Sequence, residues 1–205
     1  MMDNSYNLAL TGDSIITRRI TSTGDQQTQK LFNIIREADV SFTNLEVLPN
    51  DFVGFPAARS DGAHLVGHSW VLDELIEMGF DLFSCANNHA VDYGTEGLLR
   101  AMEEMEKRQM TYAGVGKNLT EARMPAYFDH AKGSVALISC TSTFFVEQAA
   151  GEQRPDVQGR PGVNPLRYNI VYEVTKDHLE SLRDIAEALG LEKQRQETIK
   201  TGFAS

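Results

Sequence analysis

The sequence predicts an α/β fold with strands and helices in alternation. Short apolar or alternating runs recur at 6–10, 39–43, 82–86 and 110–113, separated by stretches of helical apolar spacing at 26–38, 69–78 and 95–108. Such alternation implies a largely parallel sheet, whose strand ends share one rim. Three of the runs lead into polar groups: Asp13, Glu46, and Asn88 with His89. Open α/β sheets place their chemistry at that rim.

The first run ends at Thr11-Gly12-Asp13, where glycine permits a tight turn and Asp13 projects from the strand end. In 26–38 the apolar positions Leu31, Ile34, Ile35 and Ala38 mark one helical face, and Asp25 is a candidate cap. Residues 39–43 alternate and run into Asn44-Leu45-Glu46. From 47 to 67 the chain is rich in proline and glycine, a length of loop that compact domains keep for function or leave disordered. The 69–78 helix turns Val71, Leu72, Leu75 and Ile76 inward and stops at Gly79. The 95–108 helix is expected to be capped by Thr95, with Leu98, Leu99, Met102 and Met105 as core packing.

After 110–113, Gly114-Val115-Gly116 lacks the dinucleotide-binding spacing and reads as a tight turn, with Asn118 capping a short helix over 119–123. Residues 126–129 and 134–139 read as a hairpin, and 144–167 as a second long loop. A further strand is expected at 169–174 and a helix at 177–189, followed by a polar helical tail over 192–200. One domain over 1–205 is the expected organisation.

The net charge of -10 argues against nucleic acid or an anionic membrane surface as partner and is compatible with a cation site. No stretch is apolar for long enough to span a bilayer and no leader-like segment opens the chain, so the expected location is cytoplasmic unless a signal has been removed. Both cysteines, Cys85 and Cys140, sit in apolar runs and read as buried free thiols.

Residue chemistry sharpens the rim. Asp13 and Glu46 supply carboxylates, Asn88 a neutral oxygen, and His89 a group that titrates near neutrality, with Asp92 placed to orient it. A polar turn with an exposed histidine is the plainer reading of this stretch. The oxygen-rich set suits Mn²⁺, Mg²⁺, Fe or Zn²⁺, one or two ions, and His89 would protonate a leaving oxygen.

Gly12-Asp13, Asn44-Leu45-Glu46, Ala86-Asn87-Asn88-His89-Ala90 with Asp92-Tyr93-Gly94, and Ala113-Gly114-Val115-Gly116 with Asn118 resemble the CapA family. So does 159–167, Gly-Arg-Pro-Gly-Val-Asn-Pro-Leu-Arg. These are capsule synthesis, or poly-γ-glutamate biosynthesis, proteins related to the calcineurin-like metallophosphoesterases. The resemblance implies a metallophosphoesterase-like α/β/β/α sandwich with Asp13, Glu46 and Asn88 on metal and His89 catalytic. It also implies a phosphoester or acidic polymer as substrate. Two departures stand out. Ile15 takes the place of the histidine in the Asp-x-His pattern, and the family's downstream histidine motifs have no counterpart after His178. The sandwich and its metal site would therefore be incomplete in this chain, as in the N-terminal half of such a domain.

The loops add candidate substrate contacts. Arg59 and His64 follow the Glu46 strand end, and Arg160 sits in the stiff Pro-Gly segment; each is also readable as a solvated loop side chain. His68 and Arg167 share that ambiguity, and His130 and His178 read as structural or exposed.

Overall fold

A computed structural model describes residues 5–60 and 62–201. The chain divides into two compact units, Met1–Arg167 and Tyr168–Ser205.

The first unit is organised on a four-stranded parallel sheet: β1 (Leu8–Ser14), β2 (Val40–Leu45), β3 (Leu82–Ser84) and β4 (Thr111–Ala113), in that spatial order. Helices α1 (Gln26–Arg36), α2 (Trp70–Met78) and α3 (Gly94–Lys107) connect successive strands. This is the expected α/β sandwich, a parallel sheet with flanking helices. The core joins Phe32 and Ile35 of α1, Val71, Leu72, Leu75 and Met78 of α2, and Leu98, Met102 and Met105 of α3 to Leu45 and Phe83 of the sheet. Each such buried side chain contributes about 1.5–3 kcal/mol through removal of apolar surface from water.

The α1 face differs from expectation. Phe32 and Ile35 point inward, whereas Leu31 and Ile34 are exposed. Ile76 of α2 is likewise more exposed than its spacing predicts. Asp25 caps α1 by accepting from the Thr28 N–H, and Gly79 ends α2 in a left-handed conformation. At α3 the cap position is Tyr93, so Thr95 lies inside the first turn and does not cap.

Two strand boundaries bear on the site. β1 extends to Ser14, with a register irregularity between Leu10 and Asp13 that sets Asp13 directly opposite Asn44 of β2. β3 stops at Ser84, leaving 85–93 as the loop at its carboxyl end. Beyond β4, Val115–Gly116 (β5) is not a turn alone but pairs antiparallel with Gly162–Val163 (β8). That pairing pins the second long loop. Asn118 caps α4 (Leu119–Arg123) as expected, and β6 (Ala126–His130) and β7 (Gly133–Leu137) form the expected hairpin. Cys85 is buried but Cys140, just past β7, is exposed, against expectation; both thiols are free. Its run lies near the end of a hairpin with solvent on one side, so apolar neighbours in sequence do not bury it.

In the second unit, α5 (Lys176–Ala188) and α6 (Leu191–Lys200) follow a segment without regular structure. The strand expected at 169–174 is not formed: the residues have no regular structure and no strand partner among the described residues, and Ile170, Val171 and Tyr172 are exposed. A strand needs a partner ladder as well as alternation. Residues 202–205 of the polar tail lie outside the described residues.

Candidate functional site

The carboxyl ends of β1, β2 and β3 bring Asp13, Glu46 and His89 together. Asp13 lies near enough for its carboxylate to act on the charge of Glu46, and His89 Nε2 stands 3.8 Å from Glu46 Oε1. Glu46 is largely buried and its Oε2 has no hydrogen-bond partner. Burial and the adjacent Asp13 carboxylate raise the Glu46 pKa above the ordinary glutamate value, with His89 opposing. An orphaned, charge-crowded carboxylate of this kind is a group that a cation would satisfy.

His89 is held from its other side. Its Nδ1 is 2.8 Å from Asp92 Oδ2, and the same oxygen accepts from the Leu65 N–H at 2.6 Å. Asp92 is only 3% exposed, so the carboxylate has no freedom to swing away. An ionised Asp92 can only accept, which places a proton on Nδ1 and turns Nε2 toward Glu46. The first long loop closes on this residue twice: the Leu65 N–H donates to its carboxylate and the Ala57 N–H donates to its backbone carbonyl at 2.8 Å. Plain loop geometry in the sequence does not reveal that closure.

The Asn88 side chain makes no hydrogen bond among the described residues, while its carbonyl accepts from Gln148 Nε2 at 3.3 Å. Its neighbour Asn87 is the amide that is buried and bonded, to the Leu45 carbonyl at 2.9 Å and the Asn44 Oδ1 at 3.3 Å. Asn44 and Asn87 are residues that sequence reasoning passed over. The available signal was the position of Asn44, two residues before Glu46 and next to the first strand end.

The three candidate substrate contacts fall in different situations. Arg59 lies over the Phe145 ring at 4.0 Å, 3.9 Å from Glu147, and its side chain remains mostly exposed. His64 Nε2 bonds the Ala57 carbonyl at 2.9 Å and meets Tyr93 edge-on, so its ring braces the loop over Asp92. Arg160 donates to the carbonyls of Ala149 and Val146, which engages its guanidinium in fastening the second loop. His68 stands 3.7 Å from Asp51 and edge-on to Phe52, and His130 faces Asp39 and Tyr6.

Among the described residues, no group of three His, Cys, Asp or Glu side chains is arranged to hold a metal. The donor set that the rim brings together is the two carboxylates of Asp13 and Glu46, hard oxygen donors of the kind that suit a divalent cation, while Asn88 is tied to it by no side-chain contact among the described residues. Among the described residues no helix is long and apolar enough to cross a membrane.

The family model described as bacterial capsule synthesis protein PGA_cap matches residues 7–196. The chain belongs to this family. Among similar proteins, uncharacterized proteins y4sH and y4uA of Sinorhizobium fredii are each 33% identical over 189 residues, covering 91% of this chain and 41% of the relative. The PGA biosynthesis protein CapA of Bacillus subtilis is 24% identical over 161 residues, covering 76% of this chain and 42% of the relative. The chain thus spans about two fifths of the length of these relatives.

Proposed function

We propose that the rim is a divalent-cation-dependent hydrolytic site of a capsule or poly-γ-glutamate biosynthesis protein. Its substrate would be a phosphoester or an amide of an acidic glutamyl polymer. The observation that carries this reading is the orientation of His89. Its Nδ1 is tied to a buried, doubly bonded Asp92, and its Nε2 is turned to the crowded Asp13–Glu46 pair. That is the arrangement of an acid–base group fixed against a charged reaction centre.

Asp13, Glu46 and Asn88 would hold the cation, which when bound supplies Lewis-acid polarisation of water or of the substrate oxygen. Every other task falls to the chain's own side chains. His89 donates a proton from Nε2 to the leaving atom, and Asp92, which keeps the Nδ1–H bond throughout, holds the ring and stabilises its protonated form. Arg59, exposed at the rim of the two loops, offers a cation for an anionic substrate group. Supply of Mn²⁺ to the purified protein should support hydrolysis of bis(p-nitrophenyl) phosphate or a γ-glutamyl oligomer, and His89→Ala should lower it by about 10²- to 10⁴-fold without loss of fold. Hydrolysis at the wild-type rate in His89→Ala contradicts the assignment.

A second reading is favoured by Ile15, an exposed aliphatic side chain at the position where the metallophosphoesterase pattern carries a histidine. In it the site is vestigial and the protein binds an acidic polymer without cleaving it. Binding of polyglutamate with no hydrolysis under any divalent cation would select this reading.

A further inference from the structure

Three strands deliver Asp13, Glu46 and His89, and something must hold their ends in register. Parallel strands fix spacing only as far as their ladders run, and β3 ends at Ser84, well before His89. A continuous line of side-chain hydrogen bonds closes that gap. Asn44 Nδ2 donates to Asp13 Oδ1 at 2.8 Å, and Asn87 Nδ2 donates to Asn44 Oδ1 at 3.3 Å and to the Leu45 carbonyl at 2.9 Å. The His89 N–H donates to Asn87 Oδ1 at 3.0 Å.

The direction of this line is forced. The Leu45 carbonyl can only accept and the His89 N–H can only donate, so Asn87 must turn its NH₂ toward β2 and its oxygen to His89. Asn44, facing that NH₂, then presents its oxygen to Asn87 and its own NH₂ to Asp13. Aligned dipoles strengthen one another most where water is excluded, which holds at the Asn87 end of the line, 8% exposed, while the Asn44–Asp13 end is open to solvent.

We propose that Asn44 and Asn87 form a polarised amide relay that sets the relative positions of Asp13, Glu46 and His89. Both are positioning residues. The bond to the Leu45 carbonyl adjoins Glu46 directly, so one amide, Asn87, grips both the carboxylate strand and the imidazole loop. The consequence for cation binding rests on the function proposed above; the relay itself does not.

The test uses the full chain and two readouts, affinity for Mn²⁺ alone and the ¹⁵N–¹H resonance of His89 in metal-free protein. Asn44→Ala and Asn87→Ala should each weaken Mn²⁺ binding about 10- to 100-fold, as loss of groups that orient ligands does. The double variant should be no weaker than the poorer single one, because either change breaks the same line. Asn44→Ala should also shift the His89 amide, two hydrogen bonds away. Unweakened binding in the single variants, independent losses that multiply in the double variant, or a His89 amide unmoved by Asn44→Ala would each overturn the relay. If the wild type binds no Mn²⁺, the cation reading fails, and the His89 amide alone decides for or against the relay. Asn87→Asp guards against simple misfolding. It keeps the shape but faces an acceptor toward two acceptors, so it should match or exceed the Asn87→Ala defect; wild-type behaviour would contradict the forced polarity.

Discussion

Two glutamates with little solvent exposure, Glu74 and Glu46, make an instructive pair. Glu74, on α2, is 2% exposed and fully partnered: it accepts from the N–H groups of Ile20 and Thr21, from the Thr21 hydroxyl and from Arg19. Burial alone would raise its pKa, but those donors together hold it below the ordinary glutamate value. Glu46, at the rim, is also mostly buried, yet one of its oxygens has no partner and its neighbour is another carboxylate. Its pKa is raised. The same side chain thus fastens the segment after β1 in one place and leaves an unmet negative charge in the other. Satisfied burial serves stability, and unsatisfied burial marks the place where a ligand is expected.

The sharpest way to break this contrast is at His89, which faces Glu46 and is proposed above as the acid–base group. His89→Ala should lower hydrolysis by about 10²- to 10⁴-fold, the usual worth of a positioned proton donor. Its thermal midpoint should stay near that of the wild type, which circular dichroism would check. Glu74→Ala should do the reverse. Stranding the donors of Ile20, Thr21 and Arg19 is expected to destabilise the fold by about 3 kcal/mol, read from urea unfolding, with little effect on turnover of the folded fraction.

pH separates the two glutamates by sign. The Glu74 contribution is fully present above the unfolded glutamate value near 4.5 and is lost as pH falls through its lowered folded value. Glu46 works oppositely. Its raised folded pKa makes the protonated form the more stable one, so its cost grows as pH rises from 4.5 through that folded value. Unfolding free energies of wild type and Glu74→Gln should therefore converge in acid. Those of wild type and Glu46→Gln should diverge toward neutral pH, the variant being the more stable. Parallel curves for both variants would remove the distinction.

The smallest effects belong to the loops. Arg59→Ala should raise KM about fivefold or less at unchanged kcat, the worth of an exposed ion pair. Arg160→Ala should leave KM alone and loosen the second loop, which limited proteolysis around 146–160 would report.

Much of this architecture was legible in the residues. Apolar spacing located the strands and helices, and the polar strand ends pointed to Asp13, Glu46 and His89 before any geometry was known. What stayed hidden depends on contacts distant in sequence. Of the adjacent pair Asn87 and Asn88, nothing local says which amide turns into the protein; the answer lies in Leu45 and Asn44, some forty residues earlier. Glu74 reads as one more surface carboxylate on an amphipathic helix, because its partners come from the segment after β1. Residues 169–174 alternate as a strand should, but alternation describes a face and not the neighbour that must pair with it. Arg160 looks like an anion contact until the loop folds back and offers it carbonyls.

The central claim is that Asp13 and Glu46 form a cation site. Calorimetric titration of the purified chain with Mn²⁺, beside Glu46→Gln, tests it most directly. Saturable binding by the wild type that is lost in Glu46→Gln is the predicted result; equal binding by both proteins, or by neither, would contradict it.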